Sequence, residues 1–446
     1  PVGEHFVKIV VTDANASISA FQVDVVGTDA DGLALTEQFL FAGGLIQTGT
    51  KKFSTITTIT WTSSTAQASP DSFAPSWVAP ARLIPFLDGD YSVGLDDPPR
   101  EQQHVVGDLD AQYMVQDVRN LAGDLKVGLW PHLWRFLLDI ANVRTAGEVD
   151  SFTARWVVPG IETRVHRGLK VNQMTFEGSN GGDVMATFGL IGKYEATEAE
   201  LAYPGAYTVP EIHSLLFKNA KFVVSLNAGG TGAFSNRIAP AGLENFTLTL
   251  ANNLKVGPAI EDRIDLTKDG AIEFLTAGRR KVDLRYTALF DRIAYSTLQR
   301  SKLYTQFKLL AAHPFKANYA TVAAGPYAAG NNVVITLGAD PSADFAVGDY
   351  VYFDNAGLGT SLPCVGRITA IAPGGPTVTI NTTDEIVNTG DHMFNAALEV
   401  KTAPALVQSS TPDKAFADFL KVSIQAQIFS GGDSPLTYKC KDMSLS

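Results

Sequence analysis

The chain has 446 residues, enough for roughly two to four domains, and its 45% apolar content supplies sizeable cores. Asp and Glu (46) outnumber Lys and Arg (35), and the net charge of −11 argues against a surface built to grip nucleic acid or an anionic membrane. Charged residues make up only 18% of the chain, below the usual fraction of about 25%, so much of the surface is expected to be covered by something else.

No apolar run approaches the roughly 18 residues of a membrane-spanning helix. The opening "PVGEHFVKIVV" lacks the basic segment and apolar core of a signal peptide, and Pro1 is expected to follow a removed initiator methionine. Cys364 and Cys440 lie far apart, form no metal-binding pattern and suit a reducing cytosol.

In chain order, residues 1–68 read as Thr/Val/Ile-rich strands of an Ig-like β-sandwich, with "TDADG" as a hairpin turn where Asp and Gly tolerate positive φ. Residues 69–99, including the proline-rich "SPDSFAPSWVAPARLIP", read as a linker or arm. In 100–210, "PHLWRFLLDIAN" predicts a helix, with Pro131 at its first position and Leu133, Phe136, Leu137 and Ile140 as its apolar stripe. "RGLKVNQMTFEGSNGGDVMATFGLIGKYEA" then predicts a long hairpin. Its apolar positions change parity: Leu169 and Val171 are odd, Met174 and Phe176 even. That denies the hairpin the single polar face of a free antiparallel pair.

Residues 211–314 with 399–446 repeat the same kinds of element. "LENFTLTLANNLKV" predicts strands, "AIEFLTAGRRKVDLRYTALF" a hairpin with Arg279, Arg280 and Lys281 near its tip, and "DRIAYSTLQRSKLYTQFKLLAA" (291–312) a helix. The strand "DFLKVSIQAQIFSGG" is expected to complete the sheet. Between them, 315–398 carries short strands and Gly/Pro/Asn turns that suit a small barrel of five or six strands. The fold class is therefore mainly β, a β-sandwich/barrel with flanking helices.

Chemistry finds little purchase. His5, His104, His132, His166, His213, His313 and His392 show no metal-ligand spacing. Asp29, Asp31 and Glu37 lack the loop length of a calcium site. The acidic run containing Asp88, Asp90, Asp96 and Asp97 reads as a solvated loop. The glycine-rich "NAGGTGAF" and "GSNGGD" have no following Lys-Ser/Thr. No catalytic, cofactor-binding or metal residue is assigned, no cofactor is expected, and the chain is not read as an enzyme.

The pieces "AGDLKVGLWPHLWRFLL", "VDSFTARWVVPG" and "RGLKVNQMTFEGSNGGDVMATFGLIGKYE" resemble, in that order, the tail tube (major tail) proteins of long-tailed bacteriophages. The resemblance continues through "LENFTLTLANNLKV" and "RRKVDLRYTALFD". It implies a virion protein, assembled in the host bacterial cytoplasm, that stacks in rings to form the conduit for DNA ejection. Two fold copies per chain imply a trimeric ring imitating six-fold symmetry; one copy implies a hexamer. Tape measure, tail terminator and tip proteins are the implied partners. Double-stranded DNA would pass without specific binding, with no membrane partner. On this reading Phe188 lies on a face buried by assembly, the lumen is net negative, the basic tip meets the next ring, and the barrel is dispensable for assembly. The competing reading is a carbohydrate- or receptor-binding β-rich tail protein.

Overall fold

The computed structural model describes residues 5–13, 21–29, 32, 34–41, 46–63, 72–78, 90–96, 99–102, 113–116, 120–141, 149, 151–158, 162–198, 215–225, 237–238, 242–258, 272–276, 278–289, 304–312, 319–354, 362–395, 397–413, 421–428 and 436–440. The chain forms two compact units, Pro1–Leu83 with Ser444–Ser446, and Ile84–Met443.

In the first unit, β1 (His5–Thr12), β2 (Phe21–Thr28), β3 (Ala34–Phe41), β4 (Ile46–Phe53), β5 (Thr55–Ser63) and β6 (Ser72–Val78) make two antiparallel sheets, ordered β4-β1-β6 and β3-β2-β5. Period-two alternation points Val7, Ile9 and Val11 of one sheet and Val23, Val25, Phe39 and Phe41 of the other into one core. The "TDADG" turn forms as expected, with the Gly32 N–H donating to the Asp29 carbonyl at 3.1 Å and Gly32 at φ +80°. Strand β6 falls within the segment expected to be an arm. It pairs with β1 from Phe6 opposite Val78 to Thr12 opposite Ser72, and Pro75 within it is tolerated because the strand lies at the edge of its sheet.

The second unit begins with β7 (Gly94–Asp96), β8 (Pro99–Gln102), β9 (Tyr113–Gln116), β10 (Asn120–Gly128) and α1 (Pro131–Ala141). There follow β11 (Phe152–Val158), β12 (Glu162–Ser179), β13 (Met185–Gly192), β14 (Tyr194–Glu198), β15 (Ala220–Ser225) and β16 (Arg237–Ile238). After these come β17 (Asn245–Ala251), β18 (Lys255–Pro258), β19 (Ile272–Thr276), β20 (Lys281–Leu289) and β21 (Tyr304–Ala312). The small barrel comprises β22 (Tyr319–Thr321), β23 (Gly330–Thr336), β24 (Tyr350–Phe353), β25 (Cys364–Ile371), β26 (Thr377–Thr383) and β27 (His392–Asn395). The chain then returns through β28 (Ala397–Thr402), β29 (Ala405–Asp413), β30 (Lys421–Ile428) and β31 (Leu436–Cys440).

One large sheet organises this unit, in the order β16-β15-β21-β29-β30-β20-β17-β12-β13-β10-β7. Strand β30 pairs with β20 along its whole length, as the sequence anticipates. Helix α1 packs its stripe, with Leu133, Trp134 and Leu137 all buried, against the core that this sheet covers. The buried Asn252 amide donates to the Ala141 carbonyl at 3.0 Å and to the Val171 carbonyl at 2.9 Å. It thereby satisfies an acceptor at the helix C-terminus that no later turn can reach.

The parity change in the long hairpin is a β-bulge. The register of β12 against β13 shifts between Val171 and Gln173, so Leu169, Val171, Met174 and Phe176 all face the same core. Bulge residue Asn172 accepts the Leu254 N–H on its side chain at 2.9 Å and the Asn252 N–H on its carbonyl at 2.7 Å. Strand β12 therefore keeps a polar face, and burial by neighbouring copies is not needed to explain its pattern.

Two other expectations are corrected. Tyr304–Ala312 is a strand, not the end of a helix; the rest of the expected 291–312 helix lies outside the described residues. Phe307 and Leu309 face the main core while Lys308 and Leu310 are buried on the opposite side, and a strand buried on both faces shows no period of two. The segments expected to pair across "TAGRRK" do not pair with each other. Strand β19 pairs with β18 and β20 with β17, so 245–258 and 272–289 form one long ladder.

The barrel follows the order β22-β27-β24-β25-β26-β23. It closes where Ala323 N–H donates to the Thr336 carbonyl at 2.9 Å and Gly338 N–H to the Thr321 carbonyl at 2.8 Å. Its core is its own, built on Ile335, Val351, Phe353, Ile368, Ile380 and Met393.

Phe188 is fully buried in the protomer core, opposite Leu125 and Met174, rather than on an assembly face. Phe188→Asp is therefore expected to destabilise the protomer itself by at least about 4 kcal/mol. Thr187→Asp, on the other face of the same strand, should cost under about 1 kcal/mol. Urea denaturation of the two variants checks this; similar midpoints would refute the assignment of faces.

Candidate assembly and channel surfaces

The face of the large sheet opposite the core is continuous across β10, β13, β12, β17, β20 and β30. The same alternation that buries Phe246, Leu248 and Leu250 turns Thr247 and Thr249 outward. One transverse row runs Lys126, Thr187, Thr175, Thr249, Asp283, Gln427. Its side chains bond laterally: Thr175 and Thr249 hydroxyls lie 3.4 Å apart, and two rows along the same face those of Thr287 and Ser423 lie 3.3 Å apart. Beyond β30, the Gln408 amide donates to Gln427 at 2.6 Å. Such cross-strand pairs of short polar groups favour a flat wall with few side chains projecting far from it.

Among the described side chains of those six strands, Asp124, Glu177 and Asp283 on this face stand against Lys126, Lys170, Lys281 and Arg285, and Lys281 bonds Asp283 at 2.8 Å. The net negative wall expected from the overall composition is not found in this set.

The basic triplet sits at a kink between the two halves of the ladder, not at a hairpin tip. The Gly278 N–H donates to the Asn252 carbonyl at 3.1 Å, and the Asn253 amide to the Arg279 carbonyl at 2.6 Å, with Asn253 at φ +49°. A Cβ at Gly278 would meet the Asn253 carbonyl oxygen at 2.2 Å, so glycine is required there by close backbone approach. Arg279 and Lys281 are exposed, while burial lowers the proton affinity of the Arg280 guanidinium. From sequence, "TAGRRK" has the glycine and charge of a turn; the distinguishing signal was Asn252–Asn253 on the partner strand, two turn-tolerant residues that mark the matching break.

The two ends of the sheet differ. Strand β10 is covered on its outer edge by β7 and by Asp90–Ser92, through Lys126 N–H to the Asp90 carbonyl at 2.7 Å and Ser92 N–H to the Asp124 carbonyl at 2.9 Å. The acidic segment read as a solvated loop is thus partly an edge strand; Asp88 and Asp97 lie outside the described residues. At the other side, β29 pairs with β30 over its full length but with β21 only at Ala405 and Leu406.

Among the described histidines, His166 is the one whose buried setting carries a polar relay. It is fully buried on β12, with Nε2 2.9 Å from Glu195 Oε2 and Nδ1 2.6 Å from the Tyr91 hydroxyl. A carboxylate only accepts, so Nε2 carries the proton and Nδ1 accepts from Tyr91. Tyr91 bridges to Leu125, so the relay ties the covering edge segment to β12 and β14. His5 packs edge-on against Trp77, and His392 bonds Asp354 at 3.1 Å. His104, His213 and His313 lie outside the described residues, as do the side chain of His132, the whole of "NAGGTGAF" and Asp31. Glu37 is spent holding β4, its Oε1 accepting the Thr50 N–H at 2.6 Å and the Lys51 N–H at 3.1 Å. "GSNGGD" is the β12–β13 turn, with Gly181 at φ +83°. Among the described residues no group of three or more His, Cys, Asp or Glu could hold a metal ion, and no helix is long and apolar enough to cross a membrane. Cys364 and Cys440 are buried and are not joined in a disulfide.

Burial pushes the His166 pKa below its ordinary 6.5, against the raising effect of Glu195. The unfolded chain then binds a proton that the folded chain refuses, so stability is expected to fall as pH drops below about 6.5. His166→Gln should flatten that dependence. Denaturation midpoints of wild type and variant between pH 8 and pH 5 test it; parallel profiles would assign the pH dependence elsewhere.

The chain matches the family model described as "Phage tail tube protein" over residues 57–348, more than half of its length. No curated protein matches it. The match spans α1, the β12–β13 hairpin and the β17–β20 ladder, and stops short of β29 and β30. The chain belongs to the phage tail tube protein family, as a structural component of the virion tail.

Proposed function

We propose that this chain self-assembles into stacked rings whose joined sheets form the tail tube, the conduit for DNA ejection. The observation that carries the reading is the unbroken antiparallel run β13-β12-β17-β20-β30-β29, apolar on the protomer's core side and polar on the other. It draws strands from both halves of the unit, which supports two fold copies, 100–210 and 211–314 with 399–446, around an inserted barrel. Rings of three chains then approximate six-fold symmetry. The polar face lines the channel, and neighbouring chains meet at the β29 edge, which β21 pairs only at Ala405 and Leu406, and at the β7 edge beyond β10. Tape measure, terminator and tip proteins would engage the ends of the assembled tube. Short hydroxyls line the wall and Lys281 is held by Asp283, which limits the cations that can collect phosphates and hold the duplex by counterion release.

Negative-stain microscopy of the purified protein tests assembly. Hollow tubes or rings with three-fold averages are expected, and discrete monomeric particles under all tube-forming conditions would overturn the reading. The channel assignment has its own test. In a Thr249→Cys variant, a small maleimide should label assembled tubes, whereas a maleimide on a 40-kDa polymer, about the size of a small protein and excluded from a narrow bore, should label only free protomers. Equal labelling of tubes by both reagents would place this face outside the channel.

A further inference from the structure

The small barrel meets the large sheet at a seam with two components. One is apolar: Tyr350, Tyr352 and Val365 of the barrel pack on Val223, Leu310 and Ala397 of β15, β21 and β28. The other is ionic. Lys308 of β21, only 3% exposed, bonds Asp384, which follows β26 in the barrel. Its amine also lies 3.5 Å from Glu399 of β28, itself 3% exposed. Lys439 of β31 lies 3.3 Å from the other oxygen of Glu399 and donates to the Val365 carbonyl of the barrel at 3.4 Å.

The two sides of the seam are complementary in charge. The sheet contributes Lys308, Lys401 and Lys439 against Glu399, an excess of two positive charges at full ionisation. Burial and the neighbouring Lys308 lower the Lys401 pKa, as expected for a cation facing others. The barrel answers with Asp384, and Glu385 acts on the same region. Removing one partner from a buried pair is costly because it strands the remaining charge.

We infer that the barrel is held in one fixed pose by a charge clamp in which Asp384 of the barrel neutralises the cationic surface of the sheet at Lys308. The sheet beneath is completed by its own backbone ladders and does not depend on the clamp. Excising Asn318–Asn395 would therefore do more than remove an ornament: it would expose Leu310 and leave Lys308 without its barrel carboxylate.

Cys364 faces the core of the barrel, whereas its neighbour Val365 is fully buried in the seam against Val223, Leu310 and Ala397 and can carry a reporter. In a full-length Val365→Cys background with Cys364→Ser and Cys440→Ser, the rate at which a disulfide reagent modifies the thiol at position 365 measures opening of the seam. Asp384→Lys is expected to raise that rate at least tenfold, Asp384→Asn to raise it less, and Asp384→Glu to stay near the parent. Hydrogen exchange across β12 and β13 should be unchanged in all three. An unchanged modification rate at position 365 in Asp384→Lys would overturn the clamp. So would loss of protection throughout β12 and β13 in the mild Asp384→Asn variant, which would make the residue a global support instead.

Discussion

Everything in the second unit depends on one ladder, the pairing of β12 with β17 from Gln173 opposite Ala251 to Ser179 opposite Asn245. It joins the strands of one half of the unit to those of the other. Without it there would be two small sheets, each with an exposed edge of unsatisfied N–H and C=O groups. With it the sheet has a single core side, and Phe176, Phe246, Leu248 and Leu284 pack as neighbours although they come from distant parts of the sequence. Asn172 and Asn252 guard the end of this ladder. A bulge carbonyl, a bulge side chain and a helix terminus are all satisfied by two residues that would be turn formers elsewhere.

The polar face follows from that arrangement. An antiparallel sheet that buries one side leaves the other to whatever meets it, and here the other side carries threonine, glutamine and charges of both signs. The net charge of −11 is thus a property of the whole chain and does not carry over to this surface. Composition fixes long-range repulsion and solubility, whereas register decides which charges share a wall.

Much of the architecture was legible where local rules and tertiary context agree. Pro131 and the Leu133–Leu137 stripe announced α1, and the alternation in "NFTLTLA" announced β17. The rest was hidden for specific reasons. Strand β21 looked helical because it is sandwiched between the main core and the barrel, so Lys308 and Leu310 are as buried as Phe307 and Leu309. The β12 bulge scrambled the parity by one residue, and no local signature separates that from burial on both faces. The kink at Gly278 carries turn chemistry without reversing the chain. Tyr91 and Glu195 could not be joined to His166 from spacing, since the relay is closed by two different strand pairings. The mixed charge of the wall was also out of reach, because it depends on the registers of strands far apart in sequence.

The position of the barrel within the chain has a kinetic meaning. Ala312 and Ala397 are opposite residues in the β21–β28 pair, with residues 313–396 between them. Were that stretch unstructured, closing the pair would carry the entropy of a long loop, which grows by about 0.6 kcal/mol for each doubling of length. But the barrel begins and ends on adjacent strands, with Tyr319 opposite Phe394. Once it folds on its own core, the two ends of the insertion are already neighbours, and β21 and β28 meet as if joined by a short connection. The inserted barrel thus acts as a staple, turning one of the most distant pairings in the sheet into a local one before the ladders beyond it, β30 on β20, have to form.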